Sequence, residues 1–261
     1  MIYTYTSVPE SHFQLQSSVI HNLTRQPDCS DLRRAIMACM STRTAEFLDA
    51  IEQLPNGAAL VIQQFTWDDY EGLLEDLQHR PGLRVSYDSG WLEVVSPLPE
   101  HEKYARLIDL MVHSYCEELD LEVESYGGAT WKSRVLGKGA EPDACYYVKN
   151  AARVIGKRKF DLEFDPPPDI VVEIDITNES LSKFPIYAAL SVPEIWRYDS
   201  RQFQFYALID GEYVKVAARR FLPGLTGPMM AETIEASLTQ GQTRALKAFR
   251  KRVRSANLLR K

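Results

Sequence analysis

No stretch of this 261-residue chain comes near 18 uninterrupted apolar residues, so the sequence offers no membrane-spanning helix. Its first residues, MIYTYTSVPESHFQLQSS, lack the basic start and apolar middle of a secretory signal. The four cysteines, Cys29, Cys39, Cys116 and Cys145, form no CxxC pair and read as reduced thiols of a cytoplasmic protein. Internal repeats and low-complexity tracts are also missing. With 45% hydrophobic and 25% charged residues, what is left is a soluble globular chain of one ordinary domain plus appendages.

Positive charge is scarce everywhere except at the end. The last 18 residues, RALKAFRKRVRSANLLRK, hold eight Lys or Arg and no acid, which leaves residues 1–243 with 22 basic against 36 acidic side chains. A body at −14 argues against a protein that coats nucleic acid non-specifically. The basic tail is read either as a phosphate contact or as a solvated helix that offsets the acidic body.

Residues 1–55 show no clear period. The sequence from Met40 would make a sensible start, so residues 1–39 are expected to be a poorly ordered extension or an upstream translation artefact. From Phe65 the signals sharpen. Thr66 and Asp69 fit a helix start before WDDYEGLLEDLQ. RVSYDSGWLEVVSP reads as a hairpin around Asp88-Ser89-Gly90. A long amphipathic helix over about 99–119 buries Tyr104, Leu107, Ile108, Met111, Val112 and Tyr115, with Glu100 and His101 in its first turn. Strands are expected at LEVESY, ATWKSRV and EPDACYYV, with LGKGA a loop between the last two. KNAARVIGKRK is expected to be a basic loop, ESLSKFPIYAALS a short helix, VPEIWRYD a strand and FQFYALIDGEYVKVAA a closing hairpin. The expected architecture is α/β: a central mixed sheet flanked by helices over residues 56–224, an extension over 1–55, and a basic helical tail over 225–261.

The stretch DIVVEIDIT, residues 169–177, carries the chemistry. Side chains alternate along a strand, so Ile170, Val172, Ile174 and Ile176 share one face while Asp169, Val171, Glu173, Asp175 and Thr177 share the other. A carboxylate in so apolar a strand is costly unless hydrogen-bonded, paired or metal-bound. In EPDACYYV, Asp143 shares a face with Cys145 and Tyr147, so pairing of the two strands brings Asp143 to Glu173. Two or three such carboxylates with a backbone carbonyl suit a hard ion such as Mg²⁺ and phosphodiester hydrolysis. Spacing alone leaves open a structural ion pair, with Lys183 as the partner. An acid pair for glycoside hydrolysis has no sugar-binding signal to support it.

EPDACYYV, PDIVVEIDIT and KFPIYAALSVPEIWRYD, in that order and with SPLPEHEKY before them, resemble the Uma-type restriction endonuclease family of the PD-(D/E)XK nuclease superfamily. The resemblance runs from about Phe65 to Val216. It implies a restriction-endonuclease-like core and metal-dependent cleavage of nucleic acid, DNA above all. It implies that Asp143 and Glu173, with the carbonyl of Ile174, hold Mg²⁺ or Mn²⁺, and that His101 and Glu100 sit near the ion. The lysine position of the (D/E)XK element is Asp175 here. Lys183, matching the family's K-x-x-x-Y element with Tyr187, would then assist the attacking water, and Asp175 would bind metal or position Lys183. The basic loop at Lys157, Arg158 and Lys159 would contact the nucleic-acid backbone. A homodimer follows if both strands of a duplex are cut. The competing class is a non-catalytic nucleic-acid-binding or protein-interaction module on the same fold.

Overall fold

A computed structural model describes residues 2–5, 47–77, 82–176, 183–217 and 220–258. Of the expected extension over 1–39, only Ile2–Tyr5 falls within these residues; it forms strand β1, paired in parallel with β2 (Ala59–Gln63). Cys29 and Cys39 lie outside them, whereas Cys116 and Cys145 are free, buried thiols. Among the described residues no helix is long and apolar enough to cross a membrane.

The chain builds two mixed six-stranded sheets with helices against them. The first has the order β1-β2-β4-β3-β7-β6, where β3 is Arg84–Asp88, β4 Trp91–Val95, β6 Trp131–Ser133 and β7 Lys138–Ala140. Helix α1, described over residues 47–52, and α2 (Trp67–Asp76) cover it, with Ile51, Tyr70 and Leu73 packed on Leu60, Val85 and Leu92. The start of α2 is fixed as its sequence suggests. Thr66 Oγ1 accepts from Asp69 N at 3.1 Å, and Asp69 Oδ2 accepts from Thr66 N at 3.2 Å, a reciprocal capping box.

The second sheet has the order β12-β11-β10-β9-β8-β5. Its strands are β5 (Glu124–Ser125), β8 (Ala144–Tyr147), β9 (Ile170–Ile174), β10 (Glu194–Tyr198), β11 (Phe203–Ile209) and β12 (Glu212–Val216). It is buried on both faces, which explains why β9 reads as a continuous run of β-branched residues. Ile170, Val172 and Ile174 face α3 (Pro99–Leu119), α6 (Gly227–Gln240) and α7 (Gln242–Leu258). Val171 faces the other way, with Cys145, Tyr147 and Ile195, toward α4 (Ala151–Val154) and α5 (Phe184–Ala189). All six residues expected on the buried stripe of α3 are buried. Leu107, Ile108, Met111 and Val112 are each worth about 1.5–3 kcal/mol against exposure. The helical pair α6–α7 completes this layer through Met230, Ile234, Phe249 and Val253.

Three local expectations are corrected and one strand is added. LGKGA is not a loop: Lys138–Ala140 is a strand between β3 and β6, because Gly139 lets the backbone press on the Tyr70 ring. Strand β2 lies ahead of Phe65, in a stretch whose apolar run has no polar alternation to mark it. The basic loop contains α4, whose Ala151 and Val154 are buried. Strand β9 ends at Ile174, so Asp175 lies just past it.

Candidate active site

The two sheets meet where β8 and β9 begin their pairing. Antiparallel register joins Ala144 to Val172 and Cys145 to Val171, and Asp143 N donates to Val172 O at 3.0 Å. Asp143 therefore stands beside Glu173 at the end of the strand pair, and both acids are buried. Each finds different partners. Asp143 Oδ2 accepts from the Ile174 N–H at 2.7 Å, while Arg84 Nε lies 3.6 Å from Oδ1. Glu173 Oε2 accepts from Lys183 Nζ at 2.9 Å, and Oε1 accepts from the Tyr187 hydroxyl at 2.5 Å.

Lys183 is the N-terminal cap residue of α5 rather than a member of its first turn. From there its Nζ also donates to the Glu141 carbonyl at 3.0 Å, tying the second sheet to the end of β7 in the first. Tyr187 N donates to Lys183 O at 3.0 Å, so the cap and the residue one turn on bring both side chains to Glu173. The cation that meets Glu173 thus comes from the segment after β9, at the start of α5.

Burial raises the Glu173 carboxyl to about 7, with Asp143 adding to the rise and Lys183 and Tyr187 opposing it. Burial pulls Lys183 down, but Glu173 and Asp143 outweigh it and hold the ammonium above its ordinary range. His101 is half-buried, and burial lowers it against the pull of Asp143 and Asp175, which puts the imidazole within their field. Glu100 accepts from the Tyr104 hydroxyl, on the same first turns of α3.

The acids of the β9 segment do not act as one set. Asp169 accepts from Val148 N and Asn150 N, both at 2.9 Å, and so pins the turn after β8. Asp175 is paired with Arg197 of β10, not with Lys183, which corrects the expectation that it positions the lysine. Among the described residues no group of three or more His, Cys, Asp or Glu converges as a metal cluster.

A cleft of about 1110 Å³ opens on Asp143 and Glu141, bounded by Arg84, Glu102, Arg106, Asp109, Thr130 and Lys132 among others. Glu173 and Lys183 are not among the residues that line it. Lys157, Arg158 and Lys159 are exposed but do not line it, and Lys157 is paired with Asp165.

Three neighbours went unread in the sequence. Arg84 is held between Glu102, 2.7 Å from Nη2, and Asp143, and Gly128 leaves room for its guanidinium. Glu141 accepts from Thr130 Oγ1 at 2.5 Å and from Val85 N at 3.0 Å, and burial raises its carboxyl. It precedes Asp143 by two residues, so EPD carried that signal. Arg197 is the one cation in the apolar EIWRY strand, and that was the cue to an acid beside it.

This is a restriction-endonuclease-like α/β fold with a buried acid pair and a lysine at the junction of its sheets. The family that matches, over residues 67–239, is Uma2, described as putative restriction endonuclease; the match covers well over half of the chain, which belongs to this family. No curated protein matches the chain.

Proposed function

We propose that this chain is a metal-dependent endonuclease that hydrolyses DNA phosphodiester bonds, with Asp143, Glu173 and Lys183 at its centre. The observation that carries the reading is the buried Asp143–Glu173 pair with Lys183 Nζ 2.9 Å from Glu173. The two acids stand together, and burial pushes the Glu173 carboxyl up with Asp143 adding to the rise.

The donors fit a hard divalent ion. Asp143, Glu173 and the Ile174 carbonyl are oxygen ligands, and a carboxylate oxygen that already accepts one hydrogen bond keeps a lone pair for a cation. Mg²⁺, or Mn²⁺ in its place, supplies Lewis acidity at the phosphodiester and charge stabilisation at its oxygens. Tyr187 fixes the rotamer of Glu173. Lys183 keeps its proton and presents a fixed positive charge where negative charge grows on phosphorus oxygens. His101 and Glu100 bound the site on the α3 side, and Asp175, held by Arg197, closes the end of β9. The reaction is in-line attack of water on phosphorus, forming one P–O bond as the bond to the leaving sugar oxygen breaks. The cleft beside Asp143 is the route for the strand, and exposed Arg158 and Lys159 are backbone contacts outside it. Cutting both strands of a duplex takes two such sites, so the reading extends to a homodimer.

The test is cleavage of supercoiled and linear DNA with Mg²⁺ or Mn²⁺, wild type against Asp143→Ala. Nicking that needs the cation and disappears in the variant is the expected result. Equal background in both proteins overturns the reading in favour of a non-catalytic binding module.

A further inference from the structure

Helix α7 begins beyond residue 239, where the family match ends, and the site described above makes no use of its charge. Its residues divide by face. Ala245, Phe249 and Val253 are buried. At 3.6 residues per turn, Arg244, Lys247 and Lys251 fall on the opposite side, and all three are exposed. The cations at the flanks are engaged. Arg250 Nε donates to Ser114 Oγ at 3.0 Å, Arg252 pairs with Glu232, and Arg254 Nη2 lies 2.7 Å from Glu118 Oε1. Among the described residues Arg244, Lys247 and Lys251 have no acidic partner, although the body of the chain is strongly acidic.

We infer that the solvent face of α7, through Arg244, Lys247 and Lys251, is a docking surface for the phosphate backbone of DNA. The inference rests on the nuclease reading and extends it: an acidic body repels a polyanion, and this stripe holds the substrate against that repulsion. The span fits. From 244 to 251 the helix rises about 10 Å, the axial length of roughly three phosphates on one strand. The placement fits as well. α7 packs along α3 through Ser114 and Glu118, while Glu102, Arg106 and Asp109 of α3 line the cleft. Exposed Lys103 lies on α3 between those two faces. A bilayer is the poorer occupant, because a membrane-surface helix needs a free apolar face and that of α7 is spent on the core.

The experiment follows binding of a fluorescein-labelled duplex in EDTA across a salt series, then cleavage with Mn²⁺. It compares wild type, the triple variant Arg244→Ala/Lys247→Ala/Lys251→Ala, and the charge-retaining Lys247→Arg/Lys251→Arg. The expected result is a slope of log K against log salt shallower by about 2–3 in the triple variant, and normal in the charge-retaining one. Its loss in cleavage falls on KM rather than kcat. A wild type that binds and cuts, beside a triple variant with the same slope and KM, overturns this inference and leaves the nuclease reading intact. A wild type that neither binds nor cuts overturns the nuclease reading and this one with it. A triple variant that loses only its binding to anionic lipid vesicles overturns the choice of DNA.

Discussion

Lys183 and Glu173 are ten residues apart in the chain and 2.9 Å apart in space, Nζ to Oε2, with most of both side chains covered. Removing one partner of a buried pair leaves the other charge uncompensated, at a cost of about 3 kcal/mol or more. Lys183→Met keeps most of the stem and deletes the charge. The variant is expected to unfold at lower urea by that amount and to lose about 100-fold or more in cation-dependent cleavage. Urea titration and a single-turnover assay check the two parts separately. A variant that cuts at the wild-type rate removes Lys183 from the mechanism, whatever happens to its stability.

The Glu173 carboxyl gives the cation-free protein a pH signature. Its folded value, about 7, lies above the ordinary 4.5. Between those values the folded protein keeps a proton that the unfolded chain has lost. This contribution to stability is therefore full below about pH 4.5 and is lost as the pH rises through about 7. Glu173→Gln, which mimics the protonated acid, is expected to flatten that part of the profile. Urea midpoints from about pH 5 to about pH 8 in EDTA decide it. Parallel profiles for the two proteins would mean that Glu173 is already ionised in the fold at low pH.

Much of this arrangement was legible in the sequence, for reasons that are physical. The alternation of β9 placed Glu173 opposite the core face, and the pairing of β8 with β9 then brought Asp143 to it. The stripe of α3 and the Thr66–Asp69 cap follow from period and capping chemistry alone. What escaped was set by contacts distant in the chain. Lys138–Ala140 becomes a strand because β3 and β6 flank it and Gly139 lets it approach Tyr70. Arg84 reaches Asp143 from a different sheet, and Arg197 takes Asp175 because the parallel register of β9 and β10 brings it alongside. No local pattern encodes such meetings. Lys183 was found through its spacing to Tyr187, yet its link to the Glu141 carbonyl depends on how the two sheets abut.

Asp143→Asn separates charge from geometry. An asparagine oxygen still accepts from the Ile174 N–H, which now donates to Asp143 Oδ2 at 2.7 Å, so the junction of β8 and β9 is expected to hold. What disappears is the negative charge that a divalent cation needs. Ligand that binds only the folded state stabilises by about 2.7 kcal/mol at about 100 times its Kd. The wild type is expected to gain thermal stability with Mg²⁺ or Mn²⁺, and the asparagine variant to gain little. Equal gains would place the cation elsewhere on the molecule.

Gly139 tests whether the first sheet positions the site or merely adjoins it. A Cβ built there falls 2.3 Å from the Tyr70 hydroxyl oxygen and 2.9 Å from Cζ. The tyrosine cannot swing away, because its ring is wholly buried and stacked on Tyr87 with centroids 4.9 Å apart. Gly139→Ala must therefore push β7 outward, and overpacking of this kind costs about 1–3 kcal/mol. Two residues further on, the Glu141 carbonyl accepts from Lys183, so the displacement passes to the ammonium that holds Glu173. The variant is expected to lose cleavage as well as stability, and Gly139→Ala with Tyr70→Phe, which removes the clashing oxygen, is expected to recover part of both. Full activity in a destabilised Gly139→Ala protein would show that Lys183 keeps its place without β7, and that the second sheet alone builds the site.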